Sequence, residues 1–336
     1  RRLLSTTAIV AELRRVVCDP AERPLRREQA ARQLARLARA GVYGADPEEW
    51  WGMRGASTRE PLQKPRRSVQ LSPSRIESTL RCPLRSVLDR LVDDADTPIH
   101  MVRGTLAHGF AEAIARGADS DAASALVYEA YAGLLDVPVW QRDTALREWD
   151  TLIDNLERWL ENTRGQFEQV GVEMDMRVSV GTTESGAPLR IKGRMDRLER
   201  NNDGELVVVD VKTGSSKPAQ KNMGEHAQLS AYQLALSRGV VDGDRVRDPY
   251  PGETPEAVGG GVLVYPSATD VGKYTTREQA AKTPEELEEL AAMLPGVAAA
   301  IRGPALTAIV NDNCDSCRLQ SICPAQPTGR MLTNGS

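Results

Sequence analysis

Two acidic residues and one lysine carry the sharpest chemical signal in this chain. Asp196 stands in Gly193-Arg194-Met195-Asp196-Arg197, and fourteen residues on comes Asp210-Val211-Lys212. Each ends a stretch with strand character, and a hairpin of that length can bring the ends of adjacent strands into register. Two carboxylates held side by side repel each other unless a cation sits between them. Mg²⁺ takes oxygen ligands and keeps several waters, so Asp196 and Asp210 suit it. Side chains two apart on a strand share a face, which lets Lys212 reach the attacking water or the scissile phosphate beside the metal. The carbonyl of Val211 is free to ligate as well. His108, in Gly104-Thr105-Leu106-Ala107-His108, adds a nitrogen ligand that widens the site to Mn²⁺. Gln228 and Tyr232 are four apart and share a helix face, from which they could contact DNA or orient Lys212.

Each of these signals has an ordinary reading when taken alone. Asp-x-Lys arises often by chance, as a strand-end turn followed by a solvated lysine. A single histidine is more often a satisfied helix-surface residue, and capping and packing account for many Gln and Tyr side chains. Their order points to chemistry. His, Asp, Asp-x-Lys and Gln-x3-Tyr follow one another, with the apolar run Val207-Val208-Val209 among them.

The cysteines form a second constellation. Cys314, Cys317 and Cys323 make Cys-x2-Cys-x5-Cys, and Cys82 stands far upstream. Five cysteines in a chain of this size are not a disulfide scaffold, and Cys18, outside the pattern, reads as an ordinary partly buried thiol. Structural zinc commonly uses two paired knuckles, whereas one arm here is a single cysteine. A three-plus-one set also suits a cubane held by four thiolates. The spacing leaves zinc and iron–sulfur equally open.

The elements that must position these residues are legible from periodicity. Residues 7–17 and 27–40 have helical spacing, the second ending at Gly41 as a C-cap. Asp46-Pro47 offers a further helix start, followed by Trp50-Trp51. A Pro-, Ser- and Arg-rich stretch from Thr58 to Gln70 reads as a linker and places a boundary between 1–67 and 68–336. Ser72-Pro73 starts a helix, and Pro83 kinks or ends it. Helices are expected from Met101 to Ala115 and over 121–135, 142–164, 225–238 and 283–301. Met174–Val180 and Leu189–Gly193 alternate around a Ser185-Gly186 turn, which predicts a hairpin. Leu206–Val211 reads as a strand buried on both faces, and Gly261–Tyr265 as another.

Bulk properties narrow the function classes. The 336 residues make one large domain or two modest ones, and a mean hydropathy of -0.40 with 27% charged residues reads as a cytoplasmic, water-soluble chain. No apolar stretch is long enough to span a membrane, and the start carries no secretory signal. The missing initiator Met suggests a fragment of something longer. Net charge is -4, which argues against a simple nucleic-acid coat. Residues 1–67 hold 15 basic and 8 acidic side chains, however, against 28 and 39 in the remainder, so any basic track must be local. No Gly-x4-Gly-Lys-Ser/Thr phosphate loop occurs.

The motifs Gly104-x3-His108, Gly193-Arg194-x-Asp196-Arg197, Asp210-Val211-Lys212-Thr213-Gly214 and Gln228-x3-Tyr232 together resemble the RecB-type nuclease domain of the PD-(D/E)XK superfamily. The resemblance implies an α/β, restriction-endonuclease-like fold, a mixed central sheet flanked by helices. It also implies metal-dependent phosphodiester hydrolysis, with His108, Asp196 and Asp210 ligating Mg²⁺ or Mn²⁺ and Lys212 as the catalytic lysine. Glu173 occupies a place where relatives often carry an acidic residue. Cys82, Cys314, Cys317 and Cys323 match the 4Fe-4S staple of such nucleases in helicase–nucleases of the AddB and AdnAB type, where the cluster joins the N- and C-terminal parts. The N-terminal stretch through Gly44-Ala45-Asp46-Pro47-Glu48-Glu49-Trp50-Trp51-Gly52 is similar to the segment joining motor to nuclease in the AdnA and AdnB type. The expected partners are single-stranded DNA, an upstream helicase motor and a paired helicase–nuclease subunit, in double-strand break end resection and recombination. A second reading is a cluster-stabilised DNA-binding or scaffold module that no longer cuts. A third, a genome-defence nuclease with similar motifs, fits the N-terminal segment less well.

Overall fold

The computed structural model describes residues 5–50, 60–62, 68–91, 99–214 and 216–326. Trp51, Gly52 and most of the expected linker lie outside them. By residue contacts the chain divides into two units. The first joins Arg1–Lys64, Arg81–Asp89 and Ala300–Ser336, and the second holds Pro65–Leu80 and Arg90–Ala299. This division differs from the boundary read from linker composition, because Cys82 and the C-terminal cysteines fall in one unit with the N-terminal helices.

In the first unit, α1 (Thr6–Cys18) and α2 (Pro24–Arg39) pair around Val10, Leu34, Ala45 and Trp50. Ser5 caps α1 by accepting from the Ala8 amide, and Gly41, at φ 73°, follows the end of α2 as the sequence predicts. The Trp50 indole donates to the Gly44 carbonyl at 2.7 Å, so its buried N–H is satisfied.

In the second unit, β1 (Val69–Leu71) leads into α3 (Pro73–Arg81), whose start accepts the Arg75 amide on Ser72 Oγ at 3.2 Å. Pro83 opens a separate short helix, α4 (Pro83–Leu88), which belongs to the first unit. Three helices follow: α5 (Ile99–Ala115), α6 (Ser120–Leu134) and α7 (Val139–Thr163). Trp149, Leu152, Ile153, Leu156, Trp159 and Leu160 line one face of α7 at three- and four-residue spacing, and Tyr131 of α6 stacks on Trp149 at 4.6 Å.

The long hairpin β2 (Glu168–Thr182) and β3 (Pro188–Arg200) turns at Gly186, φ 75°. Next come β4 (Leu206–Val211), buried at every position, and α8 (Ala227–Arg238). Two three-residue strands, β5 (Val240–Asp242) and β6 (Arg245–Arg247), precede β7 (Val258–Pro266), β8 (Tyr274–Ala280) and α9 (Pro284–Arg302). The sheet runs β5-β6-β2-β3-β4-β7-β8, with β1 paired parallel to β3. It is mixed: β4 and β7 are parallel, while β2, β3 and β4 are successively antiparallel. Val207, Val209, Val211, Val262 and Val264 bury one sheet face against α5–α7, and Leu229 of α8 meets Gly261 on the other. This is the helix-flanked mixed sheet that the resemblance implies. Strands β1, β5, β6 and β8 are additions to the elements read from sequence. No helix among the described residues is long and apolar enough to cross a membrane.

Candidate metal and phosphodiester site

The ends of β3 and β4 deliver the carboxylates, as the hairpin spacing predicts. Arg197 pairs with Val209, so Asp196 and Asp210 fall at neighbouring positions on adjacent strands. The Val211 amide donates to Asp196 Oδ2 at 2.9 Å, and this bond fixes the carboxylate against the end of β4. From α5, His108 Nδ1 lies 3.4 Å from the same oxygen.

A third carboxylate joins them from β2. Glu173 takes φ 49°, the only non-glycine with positive φ among the described residues. The left-handed conformation costs a side-chain-bearing residue about 1 kcal/mol or more, and such strain collects at functional sites. Its effect here is geometric. A side-chain carbon on Gly171 would sit 2.5 Å from the Met174 sulfur, so residues three apart share a face and the two-residue alternation breaks at Glu173. Ligand atoms of His108, Glu173 and Asp196 lie within 4.8 Å of one another, and these three residues line one small cavity together with Val211.

Asp210 is buried beside this group, with its carboxylate turned to its own partners. Gln228 Nε2 donates to Oδ1 at 2.9 Å, and Lys212 Nζ donates to Gln228 Oε1 at 2.9 Å. Lys212 Nζ also stands 2.7 Å from Asp210 Oδ2, off the hydrogen-bond direction, so this buried oxygen is paired by charge while its hydrogen-bonding capacity goes unused. Gln228 therefore holds lysine and aspartate in one relay. Tyr232, one turn further along α8, donates its hydroxyl to the Arg194 carbonyl at 3.0 Å and ties the helix to β3.

Burial, then the nearby Asp210 charge, pushes the Asp196 carboxyl well above the usual carboxylate range. Burial also lowers the His108 imidazole, against the opposing pull of Asp210 and Glu173, which keeps it the neutral ring that can ligate. Burial raises the Tyr232 phenol, which stays a proton donor. A divalent cation fits this set: three convergent N and O ligands, and like charges that repel without it.

The structure thus brings together His108, Asp196 and Val211 around one cavity, with Asp210, Lys212, Gln228 and Tyr232 linked beside it. The residue that motif spacing did not settle is Glu173. Its acidic character was visible in the sequence, but the backbone turn that aims it has no sequence signature.

In the first unit, Cys82, Cys314, Cys317 and Cys323 line a second small cavity. Cys82 and Cys323 are buried, and the Asn311 amide donates to Cys314 Sγ at 3.3 Å. Four thiols facing one cavity fit a thiolate-held metal centre. The fifth, Cys18, lies apart on α1.

No curated protein matches the chain. One similar solved structure, "Crystal structure of SSO0001", shares 19% identity at a TM-score of 0.36 and covers 78% of this chain and 89% of its own. At that distance it carries no argument. The sequence profile of the PD-(D/E)XK nuclease superfamily matches residues 70–324, three quarters of the chain and every residue of the candidate site. The chain belongs to the PD-(D/E)XK nuclease superfamily.

Proposed function

We propose that this chain is the nuclease lobe of a helicase–nuclease, hydrolysing phosphodiester bonds of single-stranded DNA during double-strand break end resection and recombination. The observation that carries the nuclease reading is the grouping of His108, Glu173 and Asp196 beside the Asp210–Lys212–Gln228 relay. His108, Glu173, Asp196, the Val211 carbonyl and Asp210 would hold Mg²⁺ or Mn²⁺. When bound, the metal lowers the pKa of water and neutralises charge developing on the phosphoryl oxygens. Lys212, kept in place by Gln228, offers its ammonium to the scissile phosphate or to the incoming water. Gln228 and Tyr232 act as positioning residues, the first on Lys212 and the second on β3.

The accompanying cofactor is a 4Fe-4S cluster held by Cys82, Cys314, Cys317 and Cys323, with a structural role. Supporting it is the shared cavity of the four thiols. The motor and the paired subunit are proposed from the motif resemblance, in a cytoplasmic complex.

The test is cleavage of 5′-labelled single-stranded DNA, duplex DNA and RNA in Mg²⁺, Mn²⁺ or EDTA. The reading expects metal-dependent cleavage of single-stranded DNA in preference to the others, leaving 5′-phosphate and 3′-hydroxyl ends. Cleavage that persists in EDTA contradicts the metal mechanism, and preference for RNA contradicts the substrate.

A further inference from the structure

A row of positive charge crosses the sheet next to the candidate site, and the fold does not explain it. Lys192 of β3 pairs directly with Arg177 of β2, and Arg177 pairs in turn with Arg247 of β6. Like charges directly opposite on neighbouring strands destabilise a sheet. Arg247 is neutralised, since its guanidinium contacts Asp242 at 2.8 Å and Glu253 at 2.7 Å. Arg177 and Lys192 are exposed, and among the described residues neither has an ion pair or a hydrogen bond. The sheet thus holds two facing cations that no side chain among the described residues pairs, although Asp175 and Asp248 line the same groove.

These residues line an open groove with Arg190 and with Arg245, which pairs with Asp242 at 3.2 Å, and the groove's rim carries the exposed Tyr250 ring, 4.1 Å from the Arg247 guanidinium. The groove reaches the metal group through Arg194, which lies 3.5 Å from Asp175 in the groove and 3.5 Å from Glu173 in the candidate site. Along β3, Arg190, Lys192 and Arg194 recur every second residue towards Asp196. That spacing is roughly 7 Å per step and about 20 Å in total. Steps of this size match successive phosphates of an extended nucleic-acid strand.

We infer that this groove is the track for the single-stranded polynucleotide on one side of the scissile bond, with Arg177 and Lys192 sharing a backbone phosphate. The inference rests on the nuclease reading and deepens it. A phosphate between the two cations supplies the missing anion, and Tyr250 offers a face on which a base can stack.

The test is the double substitution Arg177→Gln, Lys192→Gln in the full chain. Binding of a labelled 20-nucleotide single strand is measured in EDTA across a salt series, and cleavage of 20- and 3-nucleotide substrates in Mg²⁺. Relieving the like-charge pair leaves Tm unchanged or higher. The expected binding loss is at least tenfold, and the slope of log affinity against log salt shallows by about 0.7, for the one phosphate that the two cations share. Cleavage of the 20-mer falls while that of the 3-mer is retained. Unchanged affinity and slope overturn the track. Loss of poly-glutamate binding with DNA binding intact marks an acidic protein face instead and equally overturns it. Because binding is read in EDTA, a chain that binds as expected but never cleaves counts against the nuclease reading and leaves the track standing.

Discussion

Glu173 shows how one backbone angle can decide whether a carboxylate belongs to a site. Its φ of 49° breaks the alternation of β2 and aims the side chain at His108 and Asp196. Asn tolerates this conformation better than Glu but offers no carboxylate. Glu173→Asn is therefore expected to leave stability unchanged or raise it by up to about 1 kcal/mol, while weakening Mn²⁺ binding at least tenfold. Thermal melts in EDTA and calorimetric metal titration read the two effects separately, and a lower Tm would show that Glu173 is not strained. At this scale the sequence was informative wherever motif and period agree. Asp196, Asp210, Lys212 and His108 stand out because strand ends and a helix face carry them. Glu173 is pointed to by the resemblance but not by the period, because it lies inside a run that otherwise alternates, and the pairing of Asp210 with Lys212 and Gln228 is a rotamer choice that spacing cannot specify.

The elements were legible in proportion to their burial. Leu206–Val211 is apolar but for Asp210 and forms a strand buried throughout, α7 arises where helical spacing is strong, and α8 is buried along Gln228–Leu236. By contrast, β8 reads Tyr-Thr-Thr-Arg-Glu-Gln-Ala, an edge strand with little apolar alternation, and β5 and β6 are three residues each, too short for a period to emerge. Yet β8 positions the site. Its buried Gln279 donates to the Met223 carbonyl at 2.7 Å and to Ser230 Oγ at 3.1 Å, and accepts from Gln233 Nε2 at 2.9 Å. These bonds anchor α8, which carries Gln228. Gln279→Leu keeps the volume and strands these buried partners, at a cost of about 2–3 kcal/mol. Urea unfolding should show that loss, with kcat reduced through α8 and metal affinity largely kept. A stability change below 0.5 kcal/mol, on the order of a neutral surface change, would contradict the anchoring role.

On the scale of the whole molecule, the first unit is assembled from three separate stretches of chain, two of which supply the four cysteines. A metal held by Cys82 and the Cys314–Cys323 group, as proposed, would close a long loop and couple folding to thiolate binding. Cys314→Ser in anaerobically purified protein is expected to lose iron and lower the Tm of the full chain together. Normal stability without iron, or full iron in the variant, would refute the structural cluster. The Cys-x2-Cys-x5-Cys spacing made the fourfold set visible in the sequence. The grouping of those cysteines with the N-terminal helices was not, because composition marks linkers and carries no information on which distant stretches meet.

The most direct measurement compares the wild-type chain with Asp210→Ala on 5′-labelled single-stranded DNA in Mg²⁺, with circular dichroism to confirm that both fold. The account predicts cleavage by the wild type and at least a hundredfold loss in the folded variant, since Asp210 holds both a prospective metal oxygen and the partner of Lys212. Undiminished cleavage by Asp210→Ala would contradict it and move the chemistry away from this site.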